Sequence, residues 1–476
     1  MIYRRNLIRG FSRTRLKNLY KDILESISGT DLDFTEGKLS RAILLLSIPM
    51  VLEMIMESVF AIVDIWFVSK LGPDAIATVG ITESMITIVY SISVGLSMAT
   101  TSLVSRRIGE KNPDMAARSA MQSIIAGLLA SFLIAVPGVI YAPQLLALMG
   151  ANEVIVNEMS GYTRIMFGGN IAIMLLFIIN AVFRSSGDAA ISMRVLWIAN
   201  LINIVLDPCL IFGLGPFPEL GIKGAAIATT TGRGIAVLYQ LYILFNGSKR
   251  VRILRKHLRI NLKLIMKILR ISVGGIGQNL IATSSWILLV RIIAEFGSAA
   301  VAGYTIAIRI ILFALLPSWG ISNASATLVG QNLGANKPDR AERSAWVTGG
   351  VNVVLLSVFG LIMILFPGVF IRFFTDDAEV IRTGITGLRI VSAGFMAYGM
   401  GMVMVNSFNG AGDTATPTWI NIIAFWMIEI PLAYTLGISA GMEEKGVFIA
   451  IVIAETIMTL LAIVIFRRGK WKLNEV

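Results

Sequence analysis

Residues 48–72 read IPMVLEMIMESVFAIVDIWFVSKLG, a long apolar stretch that contains three carboxylates, Glu53, Glu57 and Asp64. On an α-helix these three positions fall within about 40° of one another and share one stripe. A carboxylate that faces lipid is strongly unfavourable unless a partner or water reaches it. The stripe is therefore expected to face a neighbouring helix or a wet cavity inside a membrane.

The whole chain is apolar enough for a membrane protein. Hydrophobic residues make up 56% of its 476 residues, charged residues only 15%, and the mean hydropathy is +0.78. Runs that can cross about 30 Å of hydrocarbon predict an all-α polytopic membrane protein with twelve transmembrane helices. The predicted spans are residues 42–69, 77–104, 119–142, 162–183, 191–213, 222–245, 266–294, 300–328, 343–369, 385–409, 416–437 and 446–466.

The positive charge lies on one side of this topology. The net charge is +12, and residues 1–41 and 249–270 are both rich in Lys and Arg. By the positive-inside rule both termini are cytoplasmic in a multi-pass protein of the cell membrane. Because the basic runs flank spans, no nucleic-acid partner is expected. Apolar residues recur at helical spacing within residues 16–27, which favours a helix that lies on membrane lipids.

A shift of 225 residues lays the sequence on itself. The loop 109–120 falls on 334–345, and Gly72 falls on Gly297. Each unit has six spans, so the two six-helix bundles share one orientation and are related by a pseudo-two-fold axis along the membrane normal. The predicted domains are a basic N-terminal segment 1–41, an N-terminal bundle 42–245, a basic linker 246–265, a C-terminal bundle 266–466 and a cytoplasmic tail 467–476.

The acids of span 1 have no counterparts in the second half. Under the same shift Asp64 falls on Leu289 and Glu53 on Gln278. This asymmetry favours a cation site in the N-terminal bundle, with the C-terminal bundle as packing and substrate wall. Pro49 should bend span 1 about one turn before Glu53, either as a static kink or as a hinge.

Span 5 supplies a second polar face. Asn200, Asn203 and Asp207 lie on one side of a helix, and Pro208 frees a backbone carbonyl nearby. Carboxylate, carboxamide and carbonyl oxygens are hard ligands, suited to Na+ or to a proton held on a buried acid. With one Cys and one His in the chain, an intramolecular disulfide and a soft-metal cluster are both excluded.

Several motifs in order resemble one family. They are the span 1 stretch, LVGQNLGANKPDRAERSA at 328–345, NIVLDP at 203–208, GIKGAAIATTTGR at 221–233 and FNGAGDTATP at 408–417. Together they are similar to the multidrug and toxic compound extrusion (MATE) transporters of the flippase-like exporter superfamily. The resemblance covers nearly all of residues 40–466. It implies an antiporter, not an enzyme, that exports drugs or toxic organic cations in exchange for H+ or Na+, with no cofactor.

The resemblance also implies site residues. In the branch that couples through its first bundle, the cation site falls here on Asp64, Asn203, Asp207 and Thr229, where Na+ or a proton would bind. Another branch uses acids of spans 7 and 10, and this chain has none there. The further candidates for coupling or substrate binding are Glu53, Glu57, Asn200, Gln278, Glu429 and Glu455. For Glu429 and Glu455, an ion pair with Arg291, Arg309 or Arg233 is an equally good explanation.

Two other functions fit the same composition. A flippase for lipid-linked oligosaccharides needs a cavity rich in Lys and Arg, and the first bundle offers Arg233 against a majority of acids. A membrane-embedded enzyme could use paired carboxylates, but no nucleophile motif, metal cluster or nucleotide loop accompanies them. The chain is expected to act on small molecules as a monomer.

Overall fold

The structure, a computed structural model, describes residues 18–30, 32–247 and 250–474. This part of the chain is helical and contains no β-strand. Twelve long segments are α1 Leu39–Ser69, α2 Pro73–Gly109, α3 Pro113–Ile140, α4 Ile155–Ser186, α5 Ala189–Phe212, α6 Ile222–Asn246, α7 Leu262–Ala294, α8 Ser298–Gly334, α9 Pro338–Leu365, α10 Ala378–Ala393 with Phe395–Gly410, α11 Ala415–Ser439 and α12 Glu443–Arg467.

Each predicted span falls on one of these segments. Ten of them are long and apolar enough to cross a membrane, and α10, bent by 56° at Gly394, makes an eleventh. The segment that remains is α6, which has 25 residues. Its middle, ATTTGRG at 228–234, is polar. The all-α membrane fold expected from the sequence is confirmed.

In the described part of the chain, five shorter helices lie before, between or after the long segments. They are residues 18–28, Ala142–Leu148, Pro367–Arg372 and the 3-10 turns Arg255–Leu258 and Lys470–Leu473. The predicted amphipathic helix is present over residues 18–28, and its Leu19, Tyr20 and Leu24 are exposed. Residues 1–17, which include the rest of that prediction, lie outside the described residues. The lipid contact itself stays a prediction.

The internal repeat is visible in the helix bounds. Adding 225 to the bounds of α2 and α3 gives those of α8 and α9. Unusual backbone conformations repeat as well, since Lys111 and Asn336 both have φ 57°. Two halves that share helix lengths and turn conformations are therefore built on one plan.

The two bundles meet most closely where α2 crosses α8. A Cβ atom on Gly109 would lie 1.9 Å from the carbonyl oxygen of Gln331, and one on Gly334 would lie 2.0 Å from that of Arg106. The repeat exchanges these two contacts, so the pseudo-two-fold axis passes between them. This crossing lies on the side of the molecule that carries the basic loops, which we call the basic face.

α1 also contacts the other bundle in its half nearest the basic face. A Cβ atom on Gly320 of α8 would lie 2.8 Å from the backbone of Met50. Pro49, the predicted hinge, is buried at this contact inside a continuous α1. Whether Pro49 moves stays a prediction.

Residues 32–37, which we call the strap, cross from one bundle to the other on the basic face. Arg340 of α9 donates to three carbonyl oxygens of the strap at 2.8 to 3.3 Å. Arg250 of the linker donates to the carbonyl oxygens of Leu32 at 2.7 Å and of Ser186 at 2.9 Å. The strap is therefore hydrogen-bonded to both halves of the molecule.

We expect Phe34→Ala to destabilise the protein by about 3 kcal/mol, because truncation of a buried Phe leaves a cavity. Phe34 is 1% exposed and packs in a core cluster that includes Ala189 of α5 and Leu328 of α8. Chemical or thermal unfolding in detergent measures the change. Leu32→Ala is the control, since Leu32 is 36% exposed. Equal stability of the two variants would contradict this account of the strap.

The linker between α6 and α7 docks on α3. His257, the one histidine of the chain, is buried, and its Nε2 lies 3.0 Å from Asp114 Oδ1. Gln122 donates to the carbonyl oxygen of Arg259 at 3.1 Å and accepts from the backbone NH of Asn261 at 2.9 Å. These contacts fix the linker to the N-terminal bundle.

Candidate cation site

α1, α5 and α6 bring the four residues of the predicted cation site together. Asn203 Nδ2 donates to Thr229 Oγ1 at 3.0 Å and lies 3.3 Å from Asp207 Oδ1. The carboxyl groups of Asp64 and Asp207 lie within hydrogen-bonding reach of each other. The geometry agrees with the prediction that these residues meet, while their role as a coupling site stays a prediction.

Local sequence explains this placement. Asn203 and Asp207 are four residues apart on α5 and therefore share a face. A Cβ atom on Gly232 of α6 would lie 2.7 Å from the carbonyl oxygen of Ala199, so only glycine lets α6 come this close to α5. That approach puts Thr229, one turn earlier, beside Asn203.

Three oxygens of this cluster are buried without a hydrogen-bond partner. They are Asp64 Oδ1, Asn203 Oδ1 and Asp207 Oδ2. Buried polar atoms are nearly always satisfied, so three orphans in one place need a partner such as an ion or a proton. Two carboxylates, a carboxamide oxygen and a hydroxyl are hard oxygen ligands that fit Na+ or a proton. Among the described residues no cluster of three or more His, Cys, Asp or Glu side chains could hold a metal ion.

Arg233 adds a fixed positive charge one turn after Thr229. It is buried, its Nη1 donates to Tyr90 Oη at 3.2 Å, and its Nη2 lies 3.7 Å from Glu57 Oε1. Asn200 donates to the other oxygen of Glu57 at 3.2 Å. The predicted candidates Glu57 and Asn200 thus form one polar patch with Arg233, next to the cation site.

The charge around the site remains negative. Glu83 of α2 also interacts electrostatically with Asp64 and with Arg233. Arg233 interacts with Glu57, Asp64 and Glu83. Glu83 also interacts with Arg309 of α8, so among the described residues these acids and Asp207 outnumber the basic side chains near them. Glu83 is a functional candidate that the sequence does not reveal, because its partners come from other helices. An excess of carboxylates favours the binding of a cation or a proton.

Glu53 lies in a different environment. It is buried, forms a 2.7 Å salt bridge with Arg184 of α4, and accepts hydrogen bonds from Ser192 at 2.9 Å and Asn180 at 3.4 Å. Along α1 it is about 16 Å from Asp64, at 1.5 Å per residue. Arg184 is not recognisable as the partner of Glu53 from the periodicity of either helix, because the two residues lie on different helices.

The repeat contains the signal that would have found this pair. The shift of 225 carries Glu53 to Gln278 and Arg184 to Asn409. Gln278 Nε2 donates to Asn409 Oδ1 at 3.0 Å, and Asn409 Nδ2 donates back to Gln278 Oε1 at 3.1 Å. The predicted candidate Gln278 is therefore the neutral counterpart of the Glu53 ion pair, and it lies in the C-terminal bundle.

Glu429 and Glu455 are both buried within the C-terminal bundle. Ser285 donates a hydrogen bond to Glu429, and Tyr398 lies next to Glu455. Among the described residues neither carboxylate has a Lys or Arg within 4.0 Å, so the alternative of an ion pair with Arg291, Arg309 or Arg233 is not what the structure contains.

Two six-helix bundles about a pseudo-two-fold axis, with carboxylates buried between membrane helices, are an architecture of membrane transporters. A family model described as MatE matches residues 49–209 and 276–435, one segment in each half and more than half of the chain together. The chain belongs to this family, the MATE transporters, and is a membrane transporter and not an enzyme.

Three comparisons illustrate the likeness. The probable multidrug resistance protein YoeA of Bacillus subtilis is 25% identical over 92% of this chain and 95% of its own. A structure of a multidrug resistance MATE transporter in an outward-facing conformation is 26% identical, with a TM-score of 0.85, over 92% of this chain and 96% of its own. A MOP superfamily transporter of Pyrococcus furiosus, 24% identical, superposes with a TM-score of 0.87 over 93% of this chain and 98% of its own, which shows the fold. The predicted fold of twelve helices in two bundles is confirmed.

Proposed function

We propose that this chain is a secondary active multidrug efflux antiporter of the cell membrane, with both termini in the cytoplasm, that works as a monomer. It exports cationic or amphipathic compounds in exchange for H+ or Na+. The observation that carries the proposal is the buried cluster of Asp64, Asn203, Asp207 and Thr229, in which three oxygens lack a partner. Relatives named as multidrug resistance proteins support the drug substrate over the lipid-linked oligosaccharide of a flippase.

The geometry supports a direct coupling of cation and shape. When Asp64 and Asp207 are both ionised, two adjacent negative charges repel each other, and Arg233 offsets only part of that repulsion. A proton or Na+ that enters removes the repulsion and lets α1 and α5 pack more closely. A cation can shift the equilibrium between two conformations only if it binds one of them more tightly than the other.

α1 carries this change toward the other bundle. Asp64 lies in the half of α1 that is farther from the basic face. In the other half Met50, directly after Pro49, contacts Gly320 of α8. A change in the tilt of α1 at Asp64 therefore alters the contact between the bundles. In this proposal Pro49 acts as the hinge between the two parts of α1.

The excess negative charge also favours cationic drugs. The Glu57 side chain is 34% exposed and lies at the edge of the cation site, where Asn200 and Arg233 hold it. A half-buried carboxylate within an acidic cluster attracts organic cations and selects against anions. Glu57 is the residue that we assign to substrate recognition, while Glu53 serves to hold α1 against α4.

Export of a fluorescent organic cation, such as ethidium, tests the proposed function. Purified protein in liposomes is given a pH gradient or a Na+ gradient separately, with the membrane potential clamped by K+ and valinomycin. We expect one gradient to drive accumulation of the dye on the side that supplies the cation, because exchange couples the two fluxes. Dye movement that neither gradient drives would overturn the proposal, and flipping of a lipid-linked sugar by the same liposomes would establish the alternative.

A further inference from the structure

The C-terminal bundle contains a second pair of buried acids, Glu429 and Glu455, for which the sequence left coupling, substrate binding and a structural ion pair open. Glu429 of α11 and Glu455 of α12 interact electrostatically with each other. Glu429 is 1% exposed and Glu455 is 8% exposed. Two carboxylates at this depth cannot both stay ionised without a compensating charge.

The described side chains that face this pair carry no positive charge. α7 contributes Ser285, α8 contributes Tyr304 and α10 contributes Tyr398. No Lys or Arg of the described residues forms a salt bridge with either acid. The compensating charge therefore has to come from outside the protein.

One oxygen of the pair is unpartnered. Glu455 is more than nine-tenths buried, and its Oε2 atom has no hydrogen-bond partner. A buried acceptor without a donor is costly, and a proton on the carboxyl group would remove the cost. A metal cation needs several convergent oxygens, but the Ser285 hydroxyl already donates to Glu429. The site therefore fits a proton better than Na+.

The repeat shows how the two bundles differ here. The motif KGAAIA at 223–228 of α6 matches KGVFIA at 445–450 of α12, a shift of 222 that carries Arg233 to Glu455. The contacts agree with this alignment. A Cβ atom on Gly224 would lie 2.4 Å from the carbonyl oxygen of Leu210 in α5, and one on Gly446 would lie 2.8 Å from that of Leu436 in α11. The N-terminal bundle has a fixed cation at this position, and the C-terminal bundle has an acid.

We propose that Glu429 and Glu455 form a second proton-binding site, which takes up one coupling proton from outside and releases it inside in each transport cycle. This inference rests on the proposed antiport function, and it adds a proton to the exchange that the Asp64–Asp207 pair carries out. The step moves one proton onto a carboxylate and off again, so no other reactant is needed. The C-terminal bundle is then a working half of the transporter.

The drug gradient at which net transport stops measures the number of protons exchanged. The drug ratio is the ratio of drug concentrations on the two sides of the membrane when net transport stops. With the membrane potential clamped, a gradient of one pH unit sustains a ratio that is about tenfold larger for each proton exchanged per drug molecule. We expect Glu455→Gln and Glu429→Gln to lower this ratio by about tenfold per pH unit and to keep drug transport. Glu379→Gln, the same change at an exposed position at the start of α10, should keep the wild-type ratio.

Infrared spectroscopy tests the site even if these variants fold poorly. In an Asp64→Asn/Asp207→Asn protein we expect a buried carboxyl band that disappears as the pH is raised, since the second pair still binds a proton. Loss of that band on adding Glu455→Gln supports the assignment. A band that does not change with pH, or a wild-type drug ratio in both glutamine variants, would overturn the inference.

The two proposals fail separately. Export driven by Na+ alone, with no effect of a pH gradient, leaves the antiport function intact and removes the second proton site. Dye movement driven by neither gradient removes the antiport function, and the infrared titration then shows whether the pair binds a proton at all.

Discussion

Asp207→Asn is expected to abolish gradient-driven drug efflux in proteoliposomes and to leave the protein folded. Asp207 is fully buried beside Asp64, and Asn203 already holds one of its oxygens. An amide of the same shape keeps this hydrogen-bonding position but cannot ionise or take up a proton. Asp64→Asn should have the same effect, because the two carboxyl groups act as one site. Dye accumulation under the driving gradient, compared with empty liposomes, is the measurement.

The matched control for both changes is Asp376→Asn. Asp376 is exposed in the loop before α10, far from the cation site in sequence and on another bundle. This variant should export dye at the wild-type rate. Wild-type efflux in both Asp64→Asn and Asp207→Asn would refute the assignment of the cation site.

Arg184→Asn is expected to destabilise the protein by about 3 to 5 kcal/mol, because it leaves the buried Glu53 carboxylate without its partner. The two side chains form a 2.7 Å salt bridge between α1 and α4. Loss of a buried charge partner is among the most costly single changes in a protein interior. Thermal or denaturant unfolding in detergent measures the loss.

The C-terminal bundle provides the control for this prediction. It has Gln278 and Asn409 at the equivalent positions, joined by two hydrogen bonds of 3.0 and 3.1 Å. The double variant Glu53→Gln/Arg184→Asn copies that pair and should recover most of the lost stability. A double variant no more stable than Arg184→Asn alone would show that the ion pair is not the cause.

The sequence predicts the helices well because membrane spans are defined by local composition. Every apolar run became a helix, and the even number of spans per repeat was enough to give the orientation of the bundles. The meeting of the four residues was also predictable, since Asn203 and Asp207 are neighbours on one helix and the family resemblance points to Asp64 and Thr229. Their role as a cation site stays a prediction. These predictions use short-range patterns or a resemblance.

The partners of the remaining charges could not be read in the same way. Glu53 and Arg184 are separated by 131 residues, and Arg340 by about three hundred residues from the strap it binds. The periodicity of one helix cannot predict such pairs, because they depend on how the helices pack around one another. Glu83 and Arg233 are further examples, since their roles come only from the neighbours that α1 and α2 bring to them.

The strap closes the basic face through hydrogen bonds to both bundles. Residues 32–37 are tied to Arg250 on one side and to Arg340 on the other, with Phe34 sealed between the bundles. In the antiport that we propose, a state open on this face requires the strap to detach from Arg250 or Arg340. The free energy of breaking those hydrogen bonds is then a cost of that opening step.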